Sequence, residues 1–124
     1  MPNILLVMIG GAVGAGLRYE VGRLSLRLMG PGFPWGTLAV NLIGCLLMGV
    51  LAGLFVRDVA NEPAHLLLGV GVLGGFTTFS AFALDGYVML QRGDIVTALL
   101  YVAASVVGTL ILLAAGYWLT RSFA

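Results

Sequence analysis

Apolar residues in this chain do not alternate with polar ones. They come in four long runs, interrupted mainly by glycine or hydroxyl residues, with the charges collected at the end of the first run, in the connections and after the last run, apart from Asp85. Runs of about 20 residues match the hydrocarbon core of a bilayer. The first extends from about Ile4 to Met29, and its last third interleaves Arg18, Glu20, Arg23 and Arg27 with Val21, Leu24, Leu26 and Leu28, which reads as an interfacial, amphipathic end. The second, Gly36 to Val56, carries no charge; the third covers about His65 to Leu90 and the fourth Ile95 to Thr120. "GPGFPWG" (Gly30 to Gly36) is a turn that puts Trp35 at headgroup level. "RDVANEPA" (Arg57 to Ala64) is a polar loop with Pro63 in the first turn of the next helix, and "QRGD" (Gln91 to Asp94) closes the third run. The pattern predicts an all-α integral membrane protein, with transmembrane helices over about 4–29, 36–56, 65–90 and 95–120 in a single domain, 1–124.

Composition agrees: 60% of residues are hydrophobic and 9% charged, with a mean hydropathy of +1.10. The N-terminal run has neither the basic start nor the small-residue cleavage site of a secretory signal, so a retained helix is expected. One cysteine, Cys45, rules out an intrachain disulfide and reads as a small packing residue. His65 has no second ligand at metal-binding spacing. A net charge of +1 without a basic run argues against nucleic acid as a partner. No nucleophile and base pair, paired carboxylates or phosphate-cradling loop is evident, so enzyme function has no support. There is no lysine; Arg18, Arg23, Arg27 and Arg92 fall on one side of the membrane, Arg57, Arg121 and the amino terminus on the other. Arg18 lies deep enough that its weight in that bias is small, and the near balance lets either orientation insert.

The polar residues inside the runs carry the functional signal. "GGFTTFSAF" (Gly74 to Phe82) follows Gly69 and Gly71, and so many glycines raise the cost of continuous helix. Three hydroxyls directly after them favour a helix that breaks and lines a site over an unbroken, tightly packed one. Phe79 and Phe82 share a face if the helix resumes; they serve packing, or present positive ring edges to an anion, and their spacing does not choose. Asn41 is the only carboxamide of the second run, open to an interhelical hydrogen bond or to function. Tyr101, Ser105 and Thr109, four residues apart, make one polar stripe about 12 Å long. Arg18 and Asp85 are open to snorkelling and solvation as well as function. GxxxG spacings at Gly10/Gly14, Gly49/Gly53 and Gly71/Gly75 suit close helix packing. Buried polarity of hydroxyls and an amide, without a fixed charge at the middle of a helix, suits a small ion that must leave as readily as it enters.

"GGAVGAGLRY" (Gly10 to Tyr19), "GTLAVNLIG" (Gly36 to Gly44) and "GGFTTFSAF" closely resemble the Fluc, or CrcB-type, fluoride channels of microbes. The resemblance implies an antiparallel dual-topology homodimer in the cell (inner) membrane, with two fluoride pores and a third helix that breaks. It implies a structural sodium ion at the dimer centre, held by the backbone carbonyls of Gly74 and Thr77 from both subunits. The pore residues it implies are Asn41 as amide donor, Phe79 and Phe82 as ring edges, and Ser105 and Thr109 with Tyr101 one turn earlier; Thr78 and Ser80 match less closely. Arg18 and Asp85 are implied at the vestibule. Three positions depart from the family pattern: Ala81 stands where threonine is frequent, Leu113 where a further hydroxyl is, and Asp85 where glutamate is usual.

The expected function is a passive fluoride channel that lets the anion out of the cell and so reduces its toxicity. Two rivals are set against it. A small multidrug exporter needs an ionisable carboxylate deep in its first helix, and Ile4 to Leu17 has none. A non-transporting assembly subunit uses Asn41 and the stripe only as packing contacts.

Overall fold

The computed structural model describes residues 2–55 and 62–122. Helix α1 (Asn3–Met29) leads through a short turn to α2 (Trp35–Leu54). After residues 56–61, which include Val56 and Arg57 of the expected second helix and polar loop and lie outside the described residues, the third span starts with α3 (Glu62–Ala64). It continues as a π-helical segment (His65–Leu73) and α4 (Gly74–Phe76), then α5 (Phe79–Gln91). Helix α6 (Ile95–Arg121) completes the described chain. Among the described residues four spans, Asn3–Met29, Trp35–Leu54, Glu62–Gln91 and Ile95–Arg121, are long and apolar enough to cross a membrane.

The turns have local causes. Gly30 and Gly93 take φ of +78° and +85°, values that side chains beyond glycine rarely adopt. There the Gly30 amide donates to the Leu26 carbonyl at 2.9 Å, and that of Gly93 to the Leu90 carbonyl at 3.1 Å, ending α1 and α5.

Without a hydrophobic force between helices in lipid, close backbone packing holds spans together, and the GxxxG spacings supply it. Helix α1 packs along the π-helical segment and α4: a Cβ on Gly71 would lie 2.9 Å from the Cα of Gly10, and one on Gly14 would collide with the Val72 carbonyl. Helices α2 and α6 form the other closely packed pair, where a Cβ on Gly49 would strike the Leu113 carbonyl and one on Gly116 would lie 2.6 Å from the Leu46 carbonyl. The Thr120 hydroxyl crosses the same seam and donates to the Val50 carbonyl at 3.0 Å.

The spacing of the glycines therefore serves packing, and the helical dihedrals stop one residue later. Thr77 (φ −83°, ψ 157°) and Thr78 (φ −151°, ψ 124°) are extended between α4 and α5. Adjacent β-branched residues favour that conformation. Before them the amide of Gly74 reaches the carbonyl of Gly69, five residues back, as well as that of Gly71, so the ladder is already widened.

A small core of Met89, Ala98 and Tyr101 joins α5 to α6, with Phe33, Leu38 and Phe82 packed on it. Phe33 folds in from the turn before α2 and meets the Tyr101 ring edge-on, at 5.5 Å between centroids and 89°. Much of the remaining apolar surface, including Ile4, Leu84, Leu99 and Leu110, is exposed, as a lipid-facing surface requires.

Gly14→Ala is expected to destabilise the folded protein by about 1–3 kcal/mol, the range for overpacking a tight contact. Gly16→Ala, where a Cβ meets nothing within 4 Å, should leave it unchanged or firmer. Thermal unfolding of both variants in detergent, followed by size exclusion, checks the pair.

Candidate functional site

Extended backbone inside an apolar span leaves amides and carbonyls that need partners. Asn41, buried on α2, supplies two of them: Thr78 N–H donates to its Oδ1 at 2.8 Å, and its Nδ2 donates to the Thr78 carbonyl at 2.9 Å. The carboxamide thus pairs with Thr78 as a neighbouring strand would. One Nδ2 hydrogen is engaged in this pairing and the second remains. Thr78 also caps α5, its Oγ1 accepting from Ala81 N–H at 3.1 Å and lying 3.2 Å from the Ser80 hydroxyl.

These bonds divert donors from the helix. A continuous α-helix aims the Thr78 amide at the Gly74 carbonyl and the Ala81 amide at the Thr77 carbonyl; here they go to Asn41 and to Thr78 Oγ1. The Gly75 carbonyl receives Arg18 Nε at 3.1 Å. Thr77 turns its own hydroxyl back to the Leu73 carbonyl at 3.0 Å, which leaves its side-chain hydrogen committed.

Next to the extended residues lies a cavity of about 220 Å³ lined by Asn41, Cys45, Thr77, Thr78, Phe79, Phe82, Ser105, Val106 and Thr109. Its wall combines an amide, hydroxyls and two phenylalanine rings, and no charged side chain. Phe79 and Phe82 stand 5.5 Å apart at 62°. The Ser105 oxygen is buried and, among the described residues, has no hydrogen-bond partner, so its hydrogen is free to turn to whatever enters. Thr109 differs, since its hydroxyl donates to the Val106 carbonyl of its own helix at 3.1 Å and offers the cavity lone pairs.

The structure brings together Asn41, Thr77, Thr78, Phe79, Phe82, Ser105 and Thr109, and parts Tyr101, Ser80, Arg18 and Asp85 from them. Tyr101, expected on the same stripe, is wholly buried in the α5–α6 core beneath Phe82, and its hydroxyl donates to Asp85 Oδ2 at 3.2 Å. The stripe therefore divides: two members line the cavity, and the third holds Asp85. Ser80 is exposed and touches the site only through Thr78. Arg18 lines a second chamber, about 530 Å³, with Tyr19, Arg23, Thr37 and Thr78 on its wall. Asp85 lines neither space. Leu113 lies on the α2 seam against Gly49, and Ala81 faces the Arg18 chamber.

Sequence reasoning missed two wall residues. Cys45 stands one helical turn after Asn41, a spacing that puts it on the same face, and Val106 follows Ser105 without a signal of its own. Because Cys45 is the only thiol, a small methanethiosulfonate reagent entering the cavity should add one adduct per chain, read by intact mass. Asn41→Ala strands a Thr78 amide and carbonyl. Its expected cost is about 1–3 kcal/mol for each group left unpaired, seen as a lowered unfolding temperature and faster amide exchange at Thr78.

Comparison with known proteins shows the family. The family model described as CrcB-like protein, Camphor Resistance (CrcB), matches residues 5–117. A Sphingopyxis alaskensis protein named fluoride-specific ion channel FluC is 52% identical over 98% of this chain and 97% of its own length. Proteins of the same name from Rhizobium etli and Rhizobium leguminosarum bv. trifolii are 56% and 50% identical, over 86% and 100% of both chains. With four apolar spans and a match over nearly its whole length, this multi-pass membrane protein belongs to the CrcB-like family.

Proposed function

We propose that this chain is a subunit of a passive, fluoride-selective channel of the cell (inner) membrane, through which cytoplasmic fluoride leaves. The observation that carries the reading is the uncharged cavity wall whose Ser105 hydroxyl is buried and unpaired. Fluoride is small and strongly hydrated, so a selective path must replace its water with donors. The free Asn41 amide hydrogen and the Ser105 hydroxyl are neutral donors, and the edges of Phe79 and Phe82 carry partial positive charge. A fixed cation on that wall would bind the anion too firmly to release it. Thr78 contributes its hydroxyl hydrogen when Ser80 is the donor of their shared contact. Thr109 contributes only after giving up its bond to Val106.

Accumulation of fluoride follows from acid chemistry. Hydrogen fluoride crosses the bilayer neutral, ionises in a more alkaline cytoplasm, and the trapped anion needs a pore. The Arg18 chamber is a suitable vestibule: Arg23 on its wall is paired with Glu20 at 2.8 Å, and the Arg18 guanidinium attracts the anion while standing apart from the neutral wall. The relatives named as fluoride-specific channels support the same ion.

The working unit in this reading is an antiparallel homodimer whose third helix is broken at the extended threonines. Gly74 and Thr77 carbonyls, freed of their helical donors, are hard oxygen ligands of the type sodium accepts. One chain offers two of them, so a second copy is needed to complete a central site. Among the described residues no group of three or more His, Cys, Asp or Glu is placed to hold a metal; the reading assigns the ion to the carbonyls. When bound, sodium supplies a positive charge that ties the two interruptions together. Phe79 is 79% exposed in the single chain although it lines the cavity, and a partner subunit would cover it.

Liposomes holding the purified protein, with a potassium gradient and valinomycin, are expected to release fluoride and retain chloride; retention of fluoride by a folded protein would overturn the reading. In the same assay Ser105→Ala should slow efflux by a factor of roughly 2–10, the worth of one donor. Thr109→Val, whose hydrogen is already engaged, should have the smaller effect. Exchange of sodium for a large organic cation should shift the purified dimer toward monomer on size exclusion. An elution profile that ignores the cation would remove the sodium site.

A further inference from the structure

Arg18 lies 15 residues after Asn3, about 22 Å along α1, where a charged side chain is costly unless it is paired or faces protein or water. Gly11, Gly14 and Arg18 recur at helical spacing on one face. That face packs against α4: a Cβ on Gly75 would lie 2.6 Å from the Gly11 carbonyl, and one on Gly14 would lie 2.8 Å from the amide of Phe76. Helical side chains point back toward the N-terminus. From its position one turn beyond Gly14, Arg18 reaches back along this face to Gly75 and donates Nε to its carbonyl at 3.1 Å. In a continuous helix that carbonyl would take the amide of Phe79. Phe79 instead begins a new helix after two extended residues.

We infer that Arg18 is a positioning residue for the interruption: by holding the Gly75 carbonyl, its guanidinium sets the orientation of the adjoining Gly74 carbonyl. This inference rests on the channel and sodium reading, but assigns to Arg18 a task beyond the vestibule. The bond is charge-assisted and so stronger than a neutral one. Its remaining guanidinium donors are left for the chamber that Arg18 also lines. Asn41 and Arg18 then grip the interruption from two different helices, one from α2 at Thr78 and the other from α1 at Gly75.

Two effects of Arg18 on a neighbouring cation have opposite sign. As a brace it favours sodium by orienting Gly74; as a charge it repels it. The inference is that orientation wins, and the sign of one measurement decides. The full-length protein in detergent is titrated with sodium chloride at constant ionic strength, reading the dimer fraction, and amide exchange over residues 76–82 is followed by mass spectrometry. Arg18→Met is expected to raise the sodium midpoint by roughly tenfold, the equivalent of about 1.4 kcal/mol, and to speed exchange at Thr77 to Ala81. Arg18→Lys, which keeps a donor and the charge, should recover part of both. Exchange equal to that of the wild type, or a lowered midpoint, overturns the inference. If the wild-type dimer ignores sodium, the sodium reading fails, and amide exchange alone judges the brace. Should Arg18→Met not elute as folded protein, Arg18→Gln replaces it under the same criteria.

Discussion

An extended dipeptide in a membrane span is stable only if its backbone finds partners, and the pairing of Asn41 with Thr78 meets that requirement. One carboxamide satisfies both the donor and the acceptor of Thr78, with geometry that water would otherwise supply. The other features of the site depend on it. Once the Thr78 amide is taken by Asn41, the Gly74 carbonyl loses its helical donor; once Thr78 is extended, its hydroxyl is free to cap α5. The cap directs α5 so that Phe82 reaches Tyr101 and forms part of the cavity wall.

Close helix packing makes that pairing possible. With glycines at the contacts, α1 lies against α4 and α2 against α6 at backbone distance. Side chains as short as asparagine and as long as arginine therefore both reach the third span. The division of labour is chemical. Neutral groups face the smaller cavity, while Arg18 and Arg23 stand at the larger chamber. The one carboxylate within the α5 helix, Asp85, is held by Tyr101 away from both.

The spans were legible because hydrophobic length is a one-dimensional property: the expected 95–120 became Ile95–Arg121, and 4–29 became Asn3–Met29. Glycine spacing likewise marked true contacts, since GxxxG needs only the helical period to be read. What could not be read was the meeting of residues far apart in the chain. Arg18 and Gly75 are 57 positions apart, and Asn41 and Thr78 are 37 apart. Helical periodicity tells which face a residue occupies, without telling what lies opposite. For that reason Tyr101 looked like the continuation of the Ser105 and Thr109 stripe, while packing by Phe33 and Phe82 made it core. The expected break drew on the helix cost of the glycines and on the hydroxyls directly after them; the glycines stay helical, and the extended residues are two of those hydroxyl residues, Thr77 and Thr78.

Thr78 borders both open spaces at once: the neutral cavity on one side and the arginine chamber on the other. Where water fills both, they approach each other at Thr78, across far less than the roughly 30 Å of hydrocarbon around the protein. A membrane potential falls across the least conductive part of its path. On the proposed channel reading, much of the roughly 2.3 kcal/mol that 100 mV exerts on a unit charge would therefore fall close to the Asn41–Thr78 pair.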